Sequence, residues 1–352
     1  MRDGGYINDW NFGEKNIDGI IDKLVASNVD IIECGFIKNK NYDKNSTEFD
    51  NVSSINKFSK VSKNDKFFVA MAHVEEINEN IEEKNNNLIQ GIRVLFKKDK
   101  IDVAIEKSKL LKSKGYKVFL QPATIIDYSI DEFKTLIKNA NEINPYAFYI
   151  VDTLGTMQKE QLLNLFNIAD KNLNEGIQIG FHSHNNLQQA FSNAQVLMEL
   201  DTERDIIIDS SVFGMGRGAG NLCTEILMQY LNEKQGENYD LNPIYKIFDE
   251  HLSDIFENTK WGYSMPLFIS AKYKCHPNYV IFLNKVGIRK VQDIDEIISK
   301  VSEDKKSVFD KNYIEKLYED FLNQRQYESI AFDYVLTKED REVNFKNQEL
   351  SS

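Results

Sequence analysis

Short apolar runs alternate with amphipathic segments over the first two thirds of the chain. The runs have the near-continuous apolar character of parallel strands that are buried on both faces. Apolar residues recur at helical spacing between them, for example over 17–25 and 162–169, and Ser129 to Glu132 match a capping box. The pattern therefore predicts an α/β fold with strands at 30–36, 67–72, 91–96, 117–123, 147–153, 178–184 and 206–214.

Seven strand–helix units are compatible with an open doubly wound sheet or with a TIM (β/α)8-type barrel. A barrel of this type needs one more strand, and the place for it is before Arg2, where the chain begins. We favour a barrel whose first strand is encoded upstream of Met1, over a barrel that lacks this strand and over an open sheet.

The last third of the sequence changes character, because the regular alternation ends near residue 235. Helical patterns follow at 243–256, 266–273, 291–302 and 311–323. We therefore predict a barrel domain over 1–235, a mostly helical C-terminal region over 241–336, and a polar tail over 337–352.

Composition and charge exclude several classes of protein. The formal net charge of −12 leaves no basic stripe for nucleic acid, and no apolar run is long enough to cross a membrane. The three cysteines are widely spaced and odd in number, and the N-terminus lacks the apolar segment of a secretory signal. We expect a reduced, cytoplasmic protein.

The segment His182-Ser183-His184 is the strongest chemical signal in the chain. Side chains repeat every two residues along a strand, so both imidazoles point to the same face and can bind one divalent metal. Two histidines that only cap a strand end are the general alternative. Their position, where a barrel strand would open into its active-site loop, favours the metal.

Other polar residues fall at the ends of predicted strands, where ligands collect in parallel α/β folds. Glu33 and Asp152 could instead be buried acids that neighbouring cations satisfy, and His73 could be an ordinary loop histidine. The glycine-rich loop over 214–221 does not match a dinucleotide fingerprint, but it could cradle a phosphate or turn tightly beside a metal. The candidates are Arg2, Asp3, Glu33, His73, Gln121, Asp152, Thr153, His182, His184, Gly216 and Asn221.

Three blocks together resemble the hallmarks of the DRE-TIM metallolyase superfamily, also called HMG-CoA-lyase-like. They are Arg2-Asp3-Gly4, the segment His182-Ser183-His184-Asn185-Asn186, and the loop Gly214-Met215-Gly216-Arg217-Gly218-Ala219-Gly220-Asn221 with Thr224-Glu225. The resemblance covers about residues 1–235 and is nearest to 4-hydroxy-2-oxovalerate aldolases. It implies a TIM barrel with a divalent metal held by Asp3, His182 and His184, with Asn221 as a further oxygen ligand in some branches of the family. One carboxylate and two imidazoles suit Mn²⁺ or Mg²⁺, with Zn²⁺ as the alternative.

The resemblance also implies the reaction. The enzyme would be an aldolase or lyase that cleaves or forms a C–C bond beside a 2-oxo acid such as pyruvate, through a metal-stabilised enolate. Arg2 would add positive charge at the enolate oxygen. The substrate would contact Glu33, Gln121, Asp152, Thr153, Gly216 and Tyr263.

Departures from the family pattern leave the general base open. Tyr6 occupies the place of the histidine that serves as base in the aldolase branch, and the Glu-Gln pair of the synthases is absent. Residues 214–220 contain no cysteine, which disfavours the HMG-CoA lyase mechanism. Tyr6, His73 and Tyr263 remain candidates for the base.

Two other functions stay open on the sequence alone. One is an acyl-CoA-dependent Claisen-type synthase like isopropylmalate synthase, and the other is a diverged, non-catalytic barrel that binds a metabolite or a partner. The C-terminal helices are the segment through which copies of the chain could form a homo-oligomer.

Overall fold

The computed structural model describes residues 1–60, 66–85 and 87–326. The predicted polar tail over 337–352 and the last residues of the predicted C-terminal region lie outside these ranges. Within them, no helix is long and apolar enough to cross a membrane.

The centre of the molecule is a parallel sheet that curls into a half-barrel. Its strands are β1 (Ile31–Ile37), β2 (Glu48–Phe49), β3 (Phe67–His73), β4 (Gly91–Phe96), β5 (Lys117–Pro122), β6 (Ala147–Asp152), β7 (Gln178–Ser183) and β8 (Ile206–Ile208). They are paired in the order β2-β1-β3-β4-β5-β6-β7-β8. In the described ranges β8 pairs only with β7, so the sheet does not close onto β1.

The predicted α/β barrel-type fold with a helical C-terminal region is confirmed, and six of the seven predicted strands end within one residue of the observed positions. The last predicted strand, 206–214, is too long. The chain leaves the sheet after Ile208 and turns at Phe213, whose φ of 53° cannot continue a strand. The short strand β2 was not predicted. It fits against β1 because Gly35 has no side chain, since a Cβ there would lie 2.0 Å from the carbonyl oxygen of Thr47.

Amphipathic helices cover the outer face of the sheet and enclose the main hydrophobic core with it. The capping box predicted from Ser129 to Glu132 is confirmed: the Ser129 hydroxyl accepts from the Glu132 N–H at 3.3 Å, and the Glu132 carboxylate accepts from the Ser129 N–H at 2.8 Å. These helices are α1 (Glu14–Ala26), α2 (Ile101–Ser113), α3 (Ile130–Ile143), α4 (Lys159–Asn172), α5 (Ala190–Met198) and α6 (Thr224–Lys234).

Alternate residues of each strand face the inside of the half-barrel. An apolar and aromatic layer closes its lower part, with Val69, Phe119 and Tyr149 among its buried members. Gly180 makes room for this layer, because a Cβ there would lie 2.3 Å from the Tyr149 ring. On several strands the inward-facing residue two positions closer to the carboxyl end is polar, and these polar residues form the candidate site.

The C-terminal helices fall into two groups by packing. The first begins with α7 (Asn242–Ile247) and a π-helical turn (Phe248–Leu252), which pack on α1. It ends with α8 (Ser253–Asn258), which packs on the turn, and all three join the barrel core. The second forms its own apolar cluster and consists of α9 (Met265–Lys272), α10 (Asn278–Lys285), α11 (Val291–Ser299) and a helix over 311–326. The division at 235–241 stays a prediction, and the change of core comes later, near residue 265.

Candidate metal centre

The first residues of the chain lie across the open end of the half-barrel, at the carboxyl ends of the strands. The Arg2 guanidinium donates to Glu33 of β1 at 2.9 Å and to Asp3 at 2.6 Å. The Arg2 carbonyl accepts from the indole N–H of Trp10 at 2.8 Å. These contacts hold the Asp3 carboxylate, which is buried, over the inside of the sheet.

Two histidines meet Asp3 from the end of β7. His182 and His184 both face inward, as the two-residue repeat predicts, and their ring centroids are 5.3 Å apart. One potential ligand atom from each of Asp3, His182 and His184 lies within 4.8 Å of the other two, and all three residues are buried. One carboxylate and two imidazoles at this spacing form a possible site for a divalent metal.

The glycine-rich loop closes the site from the side of β8. Asn221 donates from its side-chain amide to Asp3 at 2.6 Å, and its buried carbonyl oxygen Oδ1 has no hydrogen-bond partner among the described residues. A Cβ on Gly216 would lie 2.7 Å from a carboxylate oxygen of Asp3, so this position has room only for glycine. Backbone pairing of His184 with Asn221 ties the loop to β7.

The protonation states suit metal binding. Burial works to raise the pKa of Asp3, but Arg2, His184 and His182 together hold it well below its usual range, so the carboxylate is ionised. Burial lowers the pKa of His184 to about 3, which leaves a neutral imidazole at neutral pH. A metal ligand set needs these two forms, and the unpartnered Asn221 oxygen would gain a partner from a cation. The residues present therefore fit a divalent metal.

Asp209, which sequence reasoning did not single out, orients His182. It lies just after β8, and its carboxylate is 3.0 Å from Nδ1 of His182. Burial works to raise the pKa of Asp209, but Arg93 and His182 keep it well below its usual range. The ionised carboxylate fixes the proton on Nδ1, which leaves Nε2 of His182 free to bind a metal.

Arg93, also missed from the sequence, links this carboxylate to the rest of the polar layer. It forms ion pairs with Asp209 and, at 3.0 Å, with Glu33. With its amide oxygen turned toward Arg93, Gln121 accepts from Nε of Arg93 at 3.0 Å. Tyr149 donates to Asp209 at 3.2 Å, and Arg93 stacks on its ring. Glu33 and Gln121 are thus held by Arg93, below the metal ligands.

The other predicted site residues on the sheet hold loops or pack on neighbours. Asp152 accepts from the backbone N–H groups of Thr156 and Met157, and burial raises its pKa to about 6. Thr153 accepts from the Thr124 N–H at 2.7 Å. The His73 ring stacks on Phe36 with centroids 5.4 Å apart, and burial and then Lys38 lower its pKa.

Two predicted tyrosines differ in their position. The Tyr6 ring lies beside the mouth of the site, 4.8 Å from the Arg217 guanidinium, and burial raises its pKa. Tyr263 is half exposed, and its hydroxyl lies 3.7 Å from the Met265 sulfur. The roles assigned to these residues stay predictions.

His276, from the helical region, was not singled out as a site residue. It precedes Pro277, which packs on the glycine loop: a Cβ built on Gly218 would lie 3.6 Å from the Cβ of Pro277. Burial, then Arg217 and then His184 lower the pKa of His276 to about 3. No local sequence pattern indicates this approach, because it depends on how the second apolar cluster packs on the loop.

Comparison with known proteins identifies the family. A family model described as HMGL-like matches residues 1–249. The chain belongs to the HMGL-like family. The predicted resemblance is therefore confirmed, and membership of this family supports an enzyme of the lyase kind.

Curated relatives of this HMGL-like chain carry lyase names. A 4-hydroxy-2-oxovalerate aldolase from Geobacillus genomosp. 3 is 25% identical over 237 residues, which are 66% of this chain and 68% of the relative. A Bacillus thuringiensis (strain Al Hakam) protein of the same name is 30% identical over 160 residues, which are 45% of this chain and 44% of the relative. A Mycobacterium tuberculosis (strain H37Rv) oxaloacetate decarboxylase is 30% identical over 153 residues, 44% of each chain. The matches to the second and third relatives span less than half of their length.

Solved structures share the fold of this HMGL-like chain. The N-terminal domain of an aldolase candidate from Bacteroides vulgatus superimposes with a TM-score of 0.70 at 26% identity, over 81% of this chain and 94% of that one. The carboxyl transferase domain of Rhizobium etli pyruvate carboxylase gives a TM-score of 0.63 at 12% identity, over 85% and 54% of the two chains. The second likeness concerns the fold alone.

Proposed function

We propose that the chain is a divalent-metal-dependent aldolase or lyase that acts on a 2-oxo acid such as pyruvate. The observation that carries the proposal is the set of Asp3, His182 and His184, whose ligand atoms lie within 4.8 Å of one another. The names of the curated relatives, aldolase and oxaloacetate decarboxylase, support the same class of substrate. Mn²⁺ or Mg²⁺ suits the carboxylate and amide oxygens of the site, and Zn²⁺ is the alternative.

A metal in this site supplies Lewis-acid chemistry to the carbonyl of the 2-oxo acid. The residues of the chain determine where that carbonyl lies. Arg2 is held by Glu33 and Asp3 with its charge beside the metal ligands, where it would stabilise negative charge that develops on the carbonyl oxygen. Because these groups are buried, their charges act through a medium of lower dielectric than water.

We assign the proton transfer at the substrate to Tyr6. Its raised pKa keeps the phenol protonated at neutral pH, so in the condensing direction it can donate a proton to the oxygen of the entering aldehyde, which becomes the hydroxyl of the product. Its ring lies beside Arg217, which follows Gly216 at the metal ligands. His73 is the weaker candidate, because its ring is stacked on Phe36.

Exchange of the methyl protons of pyruvate with solvent deuterium tests the proposal, because it requires only the first half of the reaction. The full chain is stripped with EDTA, reloaded with Mn²⁺ and incubated with pyruvate in D₂O, and the methyl signal is followed by NMR. We expect exchange that depends on the metal and is lost in His182→Ala. Arg289→Ala, at an exposed arginine in the helical region, is the matched surface control and should exchange like the wild type.

The same preparation separates the other functions. Release of free thiol from acetyl-CoA in the presence of a 2-oxo acid would favour the Claisen-type synthase. Tight metal binding without exchange of pyruvate, 2-oxobutyrate or oxaloacetate would contradict the aldolase proposal and favour the non-catalytic barrel.

A further inference from the structure

Arg217 lies at the mouth of the metal centre. It follows Gly216, whose α-carbon faces the Asp3 carboxylate and the Asn221 amide so closely that a Cβ would lie within 2.7 Å of both. The guanidinium carbon is 4.8 Å from the centre of the Tyr6 ring. Its charge also reaches His276, because after burial it is the largest cause of the lowered pKa of that imidazole.

The Arg217 side chain has no anionic partner in the part of the chain that the structure describes. It forms no ion pair there, and its buried Nε has no hydrogen-bond acceptor. The other five arginines in the described ranges each donate to a carboxylate or to a backbone carbonyl, namely Arg2, Arg93, Arg204, Arg289 and Arg325. A buried guanidinium N–H without an acceptor is costly, and in a chain of net charge −12 an acid to pair with it would be easy to supply.

His276 offers a second donor on the same side. Its Nδ1 accepts from the backbone N–H of Asn278 at 3.2 Å. The neutral ring therefore carries its proton on Nε2, which is a donor. The residue is placed by the packing of Pro277 and Leu267 against Gly218 in the glycine loop.

We propose that Arg217, with His276, binds a second oxyanion of the substrate, a carboxylate or a phosphate remote from the 2-oxo acid end. The proposal rests on the proposed function, in which the metal takes the 2-oxo acid itself. A planar guanidinium presents two parallel N–H groups to a carboxylate or phosphate, and the neutral imidazole adds one more. The substrate class is then a 2-oxo acid whose other end is also anionic.

Binding to the Mn²⁺-loaded full chain tests this inference by calorimetry. The probes are 2-oxobutyrate, which has no second anion, 2-oxoglutarate, which has a second carboxylate, and 3-phosphonopyruvate, which has a phosphonate. We expect at least one dianion to bind about tenfold more tightly than 2-oxobutyrate, as one charged hydrogen-bonded contact provides. The dianion that is favoured distinguishes the carboxylate from the phosphate.

Variants assign the effect to the named residues. Arg217→Ala should weaken the favoured dianion by about tenfold more than it weakens 2-oxobutyrate. Arg217→Lys should keep more of the affinity for a phosphonate than of the affinity for a carboxylate, because the point charge of lysine does not reproduce the two parallel N–H groups of arginine. His276→Gln should give a smaller loss in the same direction, and Arg289→Ala should give none. Mn²⁺ affinity and thermal unfolding are measured for each variant.

Three results would overturn the inference. Neither dianion binds more tightly than 2-oxobutyrate, or Arg217→Ala weakens all three ligands equally, or it abolishes Mn²⁺ binding and so belongs to the metal site. Failure of all three 2-oxo acids to bind the Mn²⁺-loaded chain would be a different result, because it would overturn the proposed function and this inference with it.

Discussion

Replacement of Asp209 by asparagine separates the orientation of His182 from the metal ligands themselves. Asp209 touches no predicted ligand atom, but its carboxylate lies 3.0 Å from Nδ1 of His182. It also accepts from Arg93 and from the Tyr149 hydroxyl. An asparagine of the same size keeps one acceptor oxygen and replaces the other by a donor, so it cannot hold all three donors.

The Asp209→Asn replacement should change two quantities, the affinity for the metal and the free energy of unfolding. Loss of the group that orients a metal-binding histidine typically weakens metal affinity by about 10–100-fold. Arg93 keeps its ion pair with Glu33 in the variant, so the loss of unfolding free energy should stay near that of one charged hydrogen bond, about 1.5–3 kcal/mol. Asp209 is largely buried, with 14% of its side chain exposed, so solvent screening reduces these effects only slightly.

Titration with Mn²⁺, followed by electron paramagnetic resonance, measures the affinity, and urea unfolding measures the stability. Asp205→Asn is the matched control, because Asp205 precedes the same strand and is exposed. If Asp209→Asn binds Mn²⁺ as tightly as the wild type does, Asp209 does not orient a ligand. If Asp209→Asn is unfolded, Mn²⁺ titration of Tyr149→Phe tests the same carboxylate with a smaller change, because this variant removes only one of its hydrogen-bond donors.

Three further outcomes are expected. Gly216→Ala should weaken Mn²⁺ binding at least tenfold, because its Cβ would displace Asp3 or Asn221, and unchanged Mn²⁺ affinity by calorimetry would contradict the placement of the loop. Tyr6→Phe should lower kcat for condensation of pyruvate with an aldehyde by about 100-fold while Mn²⁺ affinity stays close to that of the wild type, and an equal kcat would exclude Tyr6 from proton transfer. Burial raises the pKa of Asp152 to about 6, so the stability from its protonated carboxyl group is fully present below pH 4 and is lost as pH rises through 6. Relative to Asp152→Asn, the unfolding free energy of the wild type should fall by about 2–3 kcal/mol across this window. If chemical denaturation shows a difference that does not change with pH, the burial argument is refuted.

The sequence was most informative where a short period determines direction. The two-residue repeat predicted that His182 and His184 share a face, and both rings do face the inside of the sheet. The rule that ligands collect at the carboxyl ends of strands directed attention to Asp3 and Asn221. Their contact at 2.6 Å joins residues 218 positions apart, and only the three-block resemblance assigned both to one metal.

The polar layer beneath the ligands was missed for a physical reason. Arg93 interrupts an apolar run that fits a buried strand, and Asp209 fell inside a strand that was predicted to continue to Gly214. Both residues lie two positions after inward-facing neighbours, Gly91 and Ile207, and this two-residue spacing is the signal that could have identified them. The approach of His276 to the glycine loop depends on packing between distant segments, which no local pattern encodes.

Metal binding by the ligand variants tests the central claim most directly. Purified wild-type chain, Asp3→Ala, His182→Ala and His73→Ala are stripped with EDTA and titrated with Mn²⁺, while circular dichroism monitors the fold. We expect one Mn²⁺ per chain for the wild type and for His73→Ala, and no saturable binding by the two ligand variants, which should remain folded. Saturable binding by folded Asp3→Ala or His182→Ala at wild-type affinity would contradict the assignment of the metal centre.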